Sequence, residues 1–178
     1  MDYQSIIDRY YPAGTPLRDI YMRHCRAVAH EAISIARAKG LELEPGVVEA
    51  AAMLHDIGIT ATFAPSIHCH GAAPYITHGV IGADMLRAEG VDECFARVAE
   101  RHTGSGLTAD EILQAGLPLA PRDYLPETLL ERLICYADKF YSKSGDMKRK
   151  DMASVLRQME RFGPGSLRRF EALVSEFG

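Results

Sequence analysis

Helix boundaries recur along this chain while strand signals are nearly absent, and that contrast limits the possible folds more than any other feature. No stretch sustains the period-2 alternation of a half-buried strand, and no Asn-Gly or Asp-Gly pair marks a hairpin. Thr15 with Pro16 behind it reads as an N-cap followed by proline at the first helical position. The helix it opens carries Ile20, Ala27, Val28, Ile35 and Ala38 inward and stops at Gly40. Pro45 starts a second helix ending near His55, Thr77 to Glu89 forms a third closed by Gly90, and Asp92 caps a fourth that reaches about His102. Thr108 and Glu111 form a capping-box pattern for a short helix ended by Gly116. Apolar residues from Pro126 to about Ser142 follow helical spacing, and a solvated basic turn at Lys148 to Lys150 precedes a helix from Asp151 to Phe162. Gly163 and Pro164 break that helix, and Ser166 caps the last one. The expectation is an all-α, compact multi-helix bundle, with Gly58 to Pro74 as a loop long enough to be functional.

A chain of 178 residues, 47% hydrophobic and 25% charged, suits one globular domain over residues 1–178, with a core from about 15 to 144 and C-terminal helices at about 151–177. The tail from Asp151 to Gly178 either packs on that core or forms a homodimer contact. A net charge of -4 excludes the basic field of a general nucleic-acid binder, though a small anionic substrate remains compatible. The first residues, "MDYQSIIDRYYPAG", lack the pattern of a signal peptide, and no apolar run approaches a membrane span, so a cytoplasmic location is expected. Cys25, Cys69, Cys94 and Cys135 are scattered without a C-x-x-C pair and read as free thiols.

Against this background the stretch "AAMLHDIGIT", Ala51 to Thr60, is anomalous: an apolar helix runs straight into an imidazole and a carboxylate. An unsatisfied polar group in such a setting costs roughly 1 to 3 kcal/mol, so His55 and Asp56 need partners. His24 lies one turn from Val28 and in line with Ile20, which points it at the core; His30 is offset from that stripe. His78 sits near the start of "YITHGVIGADML", where Gly79 and Gly82 let another backbone approach. His102 ends its helix before a Gly-Ser-Gly turn. Asp138 falls on the inward face with Leu130 and Ile134, and Lys139, about 100° further around the helix, is not expected to pair with it. One buried metal or metal pair would satisfy all six of these groups. Nitrogen and carboxylate donors suit Fe, Mn, Co, Ni or Zn, with Mg also admitted, and the lack of cysteine ligands argues against a structural zinc.

The ordered set of His24, "HDIG" at His55 to Gly58, His78, His102 and Asp138 resembles the HD-domain metal-dependent phosphohydrolases of the HDIG subgroup, over nearly the whole chain, from about Arg18 to Ser144. The resemblance implies that His24, His55, Asp56 and Asp138 hold a first metal. It further implies that His78 and His102 hold a second, with Asp56 bridging, so that His55 and Asp56 are catalytic through the metals. It also implies hydrolysis of a phosphate ester or anhydride, of a nucleotide or another small phosphorylated compound, by attack of a metal-bound hydroxide. Many HDIG proteins continue with Lys where this chain has Ile59, which removes one phosphate-binding cation. The remaining candidates for substrate contact are Arg18, His70, Arg101, Lys139 and Lys143, with His68 beside His70 in the loop. Similarity to the diadenosine-polyphosphate and ribonuclease Y branches favours a nucleotide, while the absent Gly-Tyr-Pro element ranks the cyclic-diguanylate branch lower. The same six ligands serve a mixed-valent di-iron oxygenase in some HD-fold proteins, and a non-catalytic nucleotide-binding module is a third alternative.

Overall fold

The computed structural model describes residues 1–178. Nine α-helices account for most of it: α1 (Tyr3–Tyr10), α2 (Pro16–Lys39), α3 (Pro45–Leu54), α4 (His78–Ala88), α5 (Glu93–Arg101), α6 (Ala109–Ala115), α7 (Leu129–Asp138), α8 (Met152–Arg161) and α9 (Pro164–Phe177). Local sequence explains their ends. Thr15 accepts a hydrogen bond from the Arg18 amide at the start of α2, and Gly40 closes that helix in the left-handed conformation that glycine adopts without a Cβ clash. Thr108 with Glu111 and Thr128 with Glu131 form reciprocal capping boxes at α6 and α7.

Three local expectations are corrected. The buried stripe of α2 includes Tyr21, His24, Cys25, Val28, Ala32 and Ala36, whereas Ala38, on the solvent side of the last turn, is exposed. Ser166 does not cap the final helix: Pro164 occupies its first position, and the Ser166 hydroxyl is buried against that of Ser105 at 3.0 Å. The segment after Gly58 is more ordered than a loop. It holds short 3-10 turns at Ile57–Ala61, Pro65–Ile67 and Tyr75–Thr77, and a small sheet of order β2-β1-β3. In it, β1 (Thr62–Ala64) pairs antiparallel with β2 (Cys69–His70) and parallel with β3 (Ala73–Pro74).

The core lies between α2, α3, α5 and α7, with α9 closing the far side of α7. There Tyr136 stacks on Phe170 and meets Phe140 and Phe177. The C-terminal tail therefore packs on the core of its own chain. Gly58 and Gly82 bring the turn after Asp56 against α4: a Cβ on Gly58 would sit 2.2 Å from the His78 carbonyl oxygen and 2.5 Å from the Gly82 nitrogen. Close backbone approach, not an unusual turn, is what this glycine provides. No helix is long and apolar enough to cross a membrane.

Candidate metal centre

Five helix ends or helix faces converge on one buried cluster. His24 projects from the middle of α2, His55 follows the last residue of α3, His78 opens α4, His102 follows α5, and Asp138 ends α7. All six side chains of the expected set are buried, with His24, His55 and Asp56 fully so. They divide into two groups sharing Asp56. His24 Nε2 lies 3.1 Å from Asp56 Oδ2 and 3.0 Å from Asp138 Oδ1, and His55 Nε2 lies 3.2 Å and 3.5 Å from the same two oxygens. On the other side, His78 Nε2 and His102 Nε2 lie 3.5 Å and 3.3 Å from Asp56 Oδ1.

Placement at helix ends also fixes which nitrogen faces inward. The Nδ1 atoms of His55, His78 and His102 lie 2.6 to 2.7 Å from the carbonyl oxygens of Ala52, Tyr75 and Ala99, in each case the residue three positions earlier. A carbonyl can only accept, so each Nδ1 carries a proton and each Nε2 is the atom turned into the cluster, the one free to ligate. The Ala52 and Ala99 carbonyls are available because the last turn of a helix leaves its acceptors without helical partners, whereas Tyr75 belongs to the 3-10 turn that leads into α4. Tyr11 and Tyr21, stacked with ring centroids 4.0 Å apart, donate to the Ile57 and Met53 carbonyls at 2.9 Å and 2.5 Å and tie the same segment to the end of α1 and to α2.

Nitrogens and carboxylate oxygens crowded this closely call for a cation. The paired nitrogens His24–His55 and His78–His102 are 3.3 Å and 3.0 Å apart, and neither oxygen of the buried Asp56 accepts a well-formed hydrogen bond. Burial and the neighbouring His102 push His78 down to about 3, so it is neutral at physiological pH and ready to ligate. Burial opposes ionisation of Asp56, but Lys143 and His55 outweigh it and hold the carboxyl well below its usual range. Burial likewise opposes ionisation of Asp138 and is outweighed by Lys139 and His24. Inward-facing imidazole nitrogens and ionised carboxylates within reach of one another fit a divalent cation in each group.

Beside the cluster opens a cavity of about 500 Å³, reached by His78, His102 and Asp138 and walled by Tyr75, Lys139, Lys143 and residues of α8. Lys143 Nζ stands 2.6 Å from Asp56 Oδ2 as an ion pair. Lys139 Nζ lies 2.6 Å from Asp138 Oδ2 and donates to the His102 carbonyl at 2.9 Å. That overturns the expectation that Lys139 projects away from Asp138. The angle of about 100° governs Cβ directions, whereas a four-carbon stem just beyond the helix end swings its ammonium back.

The other expected substrate contacts are not brought together with these. Arg18 pairs with Asp8 and donates to the Tyr11 carbonyl. Arg101 holds the Leu125 carbonyl and Glu127, each at 2.9 Å. His68 and His70 are exposed and do not line the cavity. Sequence reasoning missed Tyr75, Lys150, Gln158 and Phe162, which do line it. The run Lys148 to Lys150 is solvated only in part: Lys150 Nζ donates inward to the Lys139 carbonyl and Gln158 Oε1, each at 3.0 Å.

The profile of the HD domain family matches residues 21–142. An uncharacterised protein of Methanocaldococcus jannaschii is 39% identical over 143 residues, 79% of this chain and 75% of that protein. A tRNA (cytidine(56)-2'-O)-methyltransferase of Thermoplasma volcanium is 34% identical over 84% of this chain, and that of Picrophilus torridus 35% over 70%. The matches span only 38% and 32% of those two proteins. Among solved structures, the HD domain of the L. monocytogenes phosphodiesterase PgpH superposes with a TM-score of 0.56 at 15% identity, covering 98% of this chain and 96% of that one. At that identity the likeness concerns the fold.

Proposed function

The chain belongs to the HD-domain family, and on that premise we propose that it is a metal-dependent hydrolase of phosphate esters or anhydrides acting on a small phosphorylated compound, with a nucleotide favoured. The observation that carries this reading is the division of six buried side chains into two groups that share the Asp56 carboxylate, beside a cavity with lysines on its wall. His24, His55, Asp56 and Asp138 would hold one divalent cation, and Asp56, His78 and His102 a second. Such a pair supplies Lewis acidity and brings the pKa of bound water toward neutrality.

What the protein itself contributes follows from its geometry. Carbonyl acceptors hold three of the imidazoles in one tautomer, and Lys139 holds Asp138 to the end of α5, so the ligands require little reorganisation. Lys143 lies beside Asp56 at the cavity wall, suited to neutralising a phosphoryl oxygen. The cationic wall of Lys139, Lys143 and Lys150 favours phosphoryl chemistry over the oxygenase alternative, and the complete ligand set disfavours a non-catalytic module.

Chelated protein reloaded with Mn, Co, Ni, Fe or Mg and assayed on a panel of phosphomonoesters, diesters and nucleotides tests the proposal. Metal-dependent turnover is expected, and both His55→Ala and Asp56→Ala should abolish it while helical circular dichroism persists. Turnover insensitive to chelator, or surviving either substitution, would overturn it.

A further inference from the structure

The wall of the cavity farthest along the chain comes from α8, which lies outside the residues matched to the HD domain. Gln158 and Met159 of that helix and Phe162 just after it line the cavity. Phe162 is 59% exposed, a flat apolar surface at the mouth. Gln158 is the one amide on the wall, and its orientation is fixed. Lys150 Nζ lies 3.0 Å from Gln158 Oε1, and an ammonium can only donate, so the amide oxygen is the atom turned toward it. Lys150 is itself anchored by the Lys139 carbonyl at 3.0 Å, which ties this amide to the metal-proximal wall. The Nε2 group makes no hydrogen bond to the protein. Its two hydrogens are left to a ligand.

We propose that α8 is a specificity wall on which Gln158, its oxygen held by Lys150 and its Nε2 donors left outward, selects a substrate whose organic part carries adjacent hydrogen-bond acceptors beside a flat ring packed on Phe162. A 6-oxopurine meets that requirement. Guanine presents N7 and O6 as neighbouring acceptors, as hypoxanthine does, whereas adenine sets an N6 donor beside N7 and would place donor against donor. A ligand cavity usually measures about 300 to 1,000 Å³, and 500 Å³ leaves room for a ring system as well as a phosphate. The phosphate end of this picture rests on the hydrolase reading above; the selection by α8 does not.

The test uses the full chain loaded with Mn²⁺ and measures equilibrium binding and turnover of guanosine, inosine and adenosine 5'-monophosphates, with bis(p-nitrophenyl) phosphate as a substrate lacking a base. The 6-oxopurines are expected to bind about tenfold more tightly than adenosine monophosphate, the size of one good two-point contact to a base edge. Gln158→Glu, which replaces the free donors by an acceptor, should erase or invert that ratio. Lys150→Met should reduce it by freeing the amide to flip, and Lys150→Arg, which keeps a donor on Oε1, should preserve it. Equal binding of the three nucleotides by the wild-type protein, or a ratio unmoved in both Gln158→Glu and Lys150→Met, would overturn the proposal. Preferential binding without hydrolysis of any ester would sustain it while overturning the hydrolase reading, and hydrolysis of the base-free ester without purine preference would do the reverse.

Discussion

Substituting Gly58 by alanine should damage the second ligand group through backbone displacement alone. The added Cβ would stand 2.2 Å from the His78 carbonyl oxygen, while ordinary contact begins at 3.4 Å, so 3.4 less 2.2 requires a shift of about 1.2 Å. The Gly82 nitrogen and Cα at 2.5 and 2.9 Å block the other directions, so α4 has to move as a body and take His78 with it. Metal–ligand distances hold to within about 0.2 Å, several times less than that shift. Overpacking of this kind costs about 1 to 3 kcal/mol, which for a chain of this length lowers Tm by roughly 2 to 12 °C. The melt is run in chelator, so that lost metal binding does not enter the shift, and metal per chain is measured on separately loaded protein. Gly46→Ala is the control: nothing lies within 4 Å of its Cβ on the first turn of α3, and it should hold or slightly raise Tm. A Gly58→Ala protein that melts within about 1 °C of wild type and loads the same metal would refute the reasoning.

Other consequences concern stability. Phe170 is fully buried against Tyr136, so Phe170→Ala should cost about 3 to 5 kcal/mol and produce one cooperative, lowered thermal transition for the whole chain if residues 1–178 fold as a unit. Burial opposes ionisation of Glu131, but Arg97 at 2.7 Å and the Glu127 amide outweigh it and hold the carboxyl below its usual range. A depressed carboxyl contributes stability that is complete above the unfolded-state pKa and is lost as pH falls through the folded value. Denaturant midpoints should therefore drop on acidification below about pH 4.5, and Glu131→Gln, which retains a capping side chain, should flatten that dependence. An unchanged acid profile in the variant would contradict this assignment.

The readable parts of this molecule were those set by local chemistry. Caps at Thr15, Asp92 and Thr108 and stops at Gly40 and Gly116 placed helix ends within a residue or two, since each satisfies a backbone group in its own turn. His24, His55, Asp56, His78, His102 and Asp138 stood out because they interrupt apolar helix faces or ends, and the structure brings all six together. Contacts made by long side chains or across distant segments were less legible. Arg18, Arg101, Lys139 and Lys143 look equivalent along the sequence, yet only the two lysines reach the cavity. Likewise, the sheet joining Phe63 to His70 and Pro74 has strands of two or three residues, too short to show alternation. The role of Lys150 and Gln158 depends on Lys150 reaching back to the end of α7 while α8 packs against α9, which no local pattern specifies.

The shared carboxylate of Asp56 is the centre of this account, and metal content per chain after loading with Mn²⁺ or Fe²⁺ under anaerobic conditions tests it most directly. Wild-type protein should hold two equivalents. His78→Ala should hold one, and Asp56→Ala, which removes the only side chain common to both groups, should retain neither tightly. Two equivalents still bound by Asp56→Ala would contradict it.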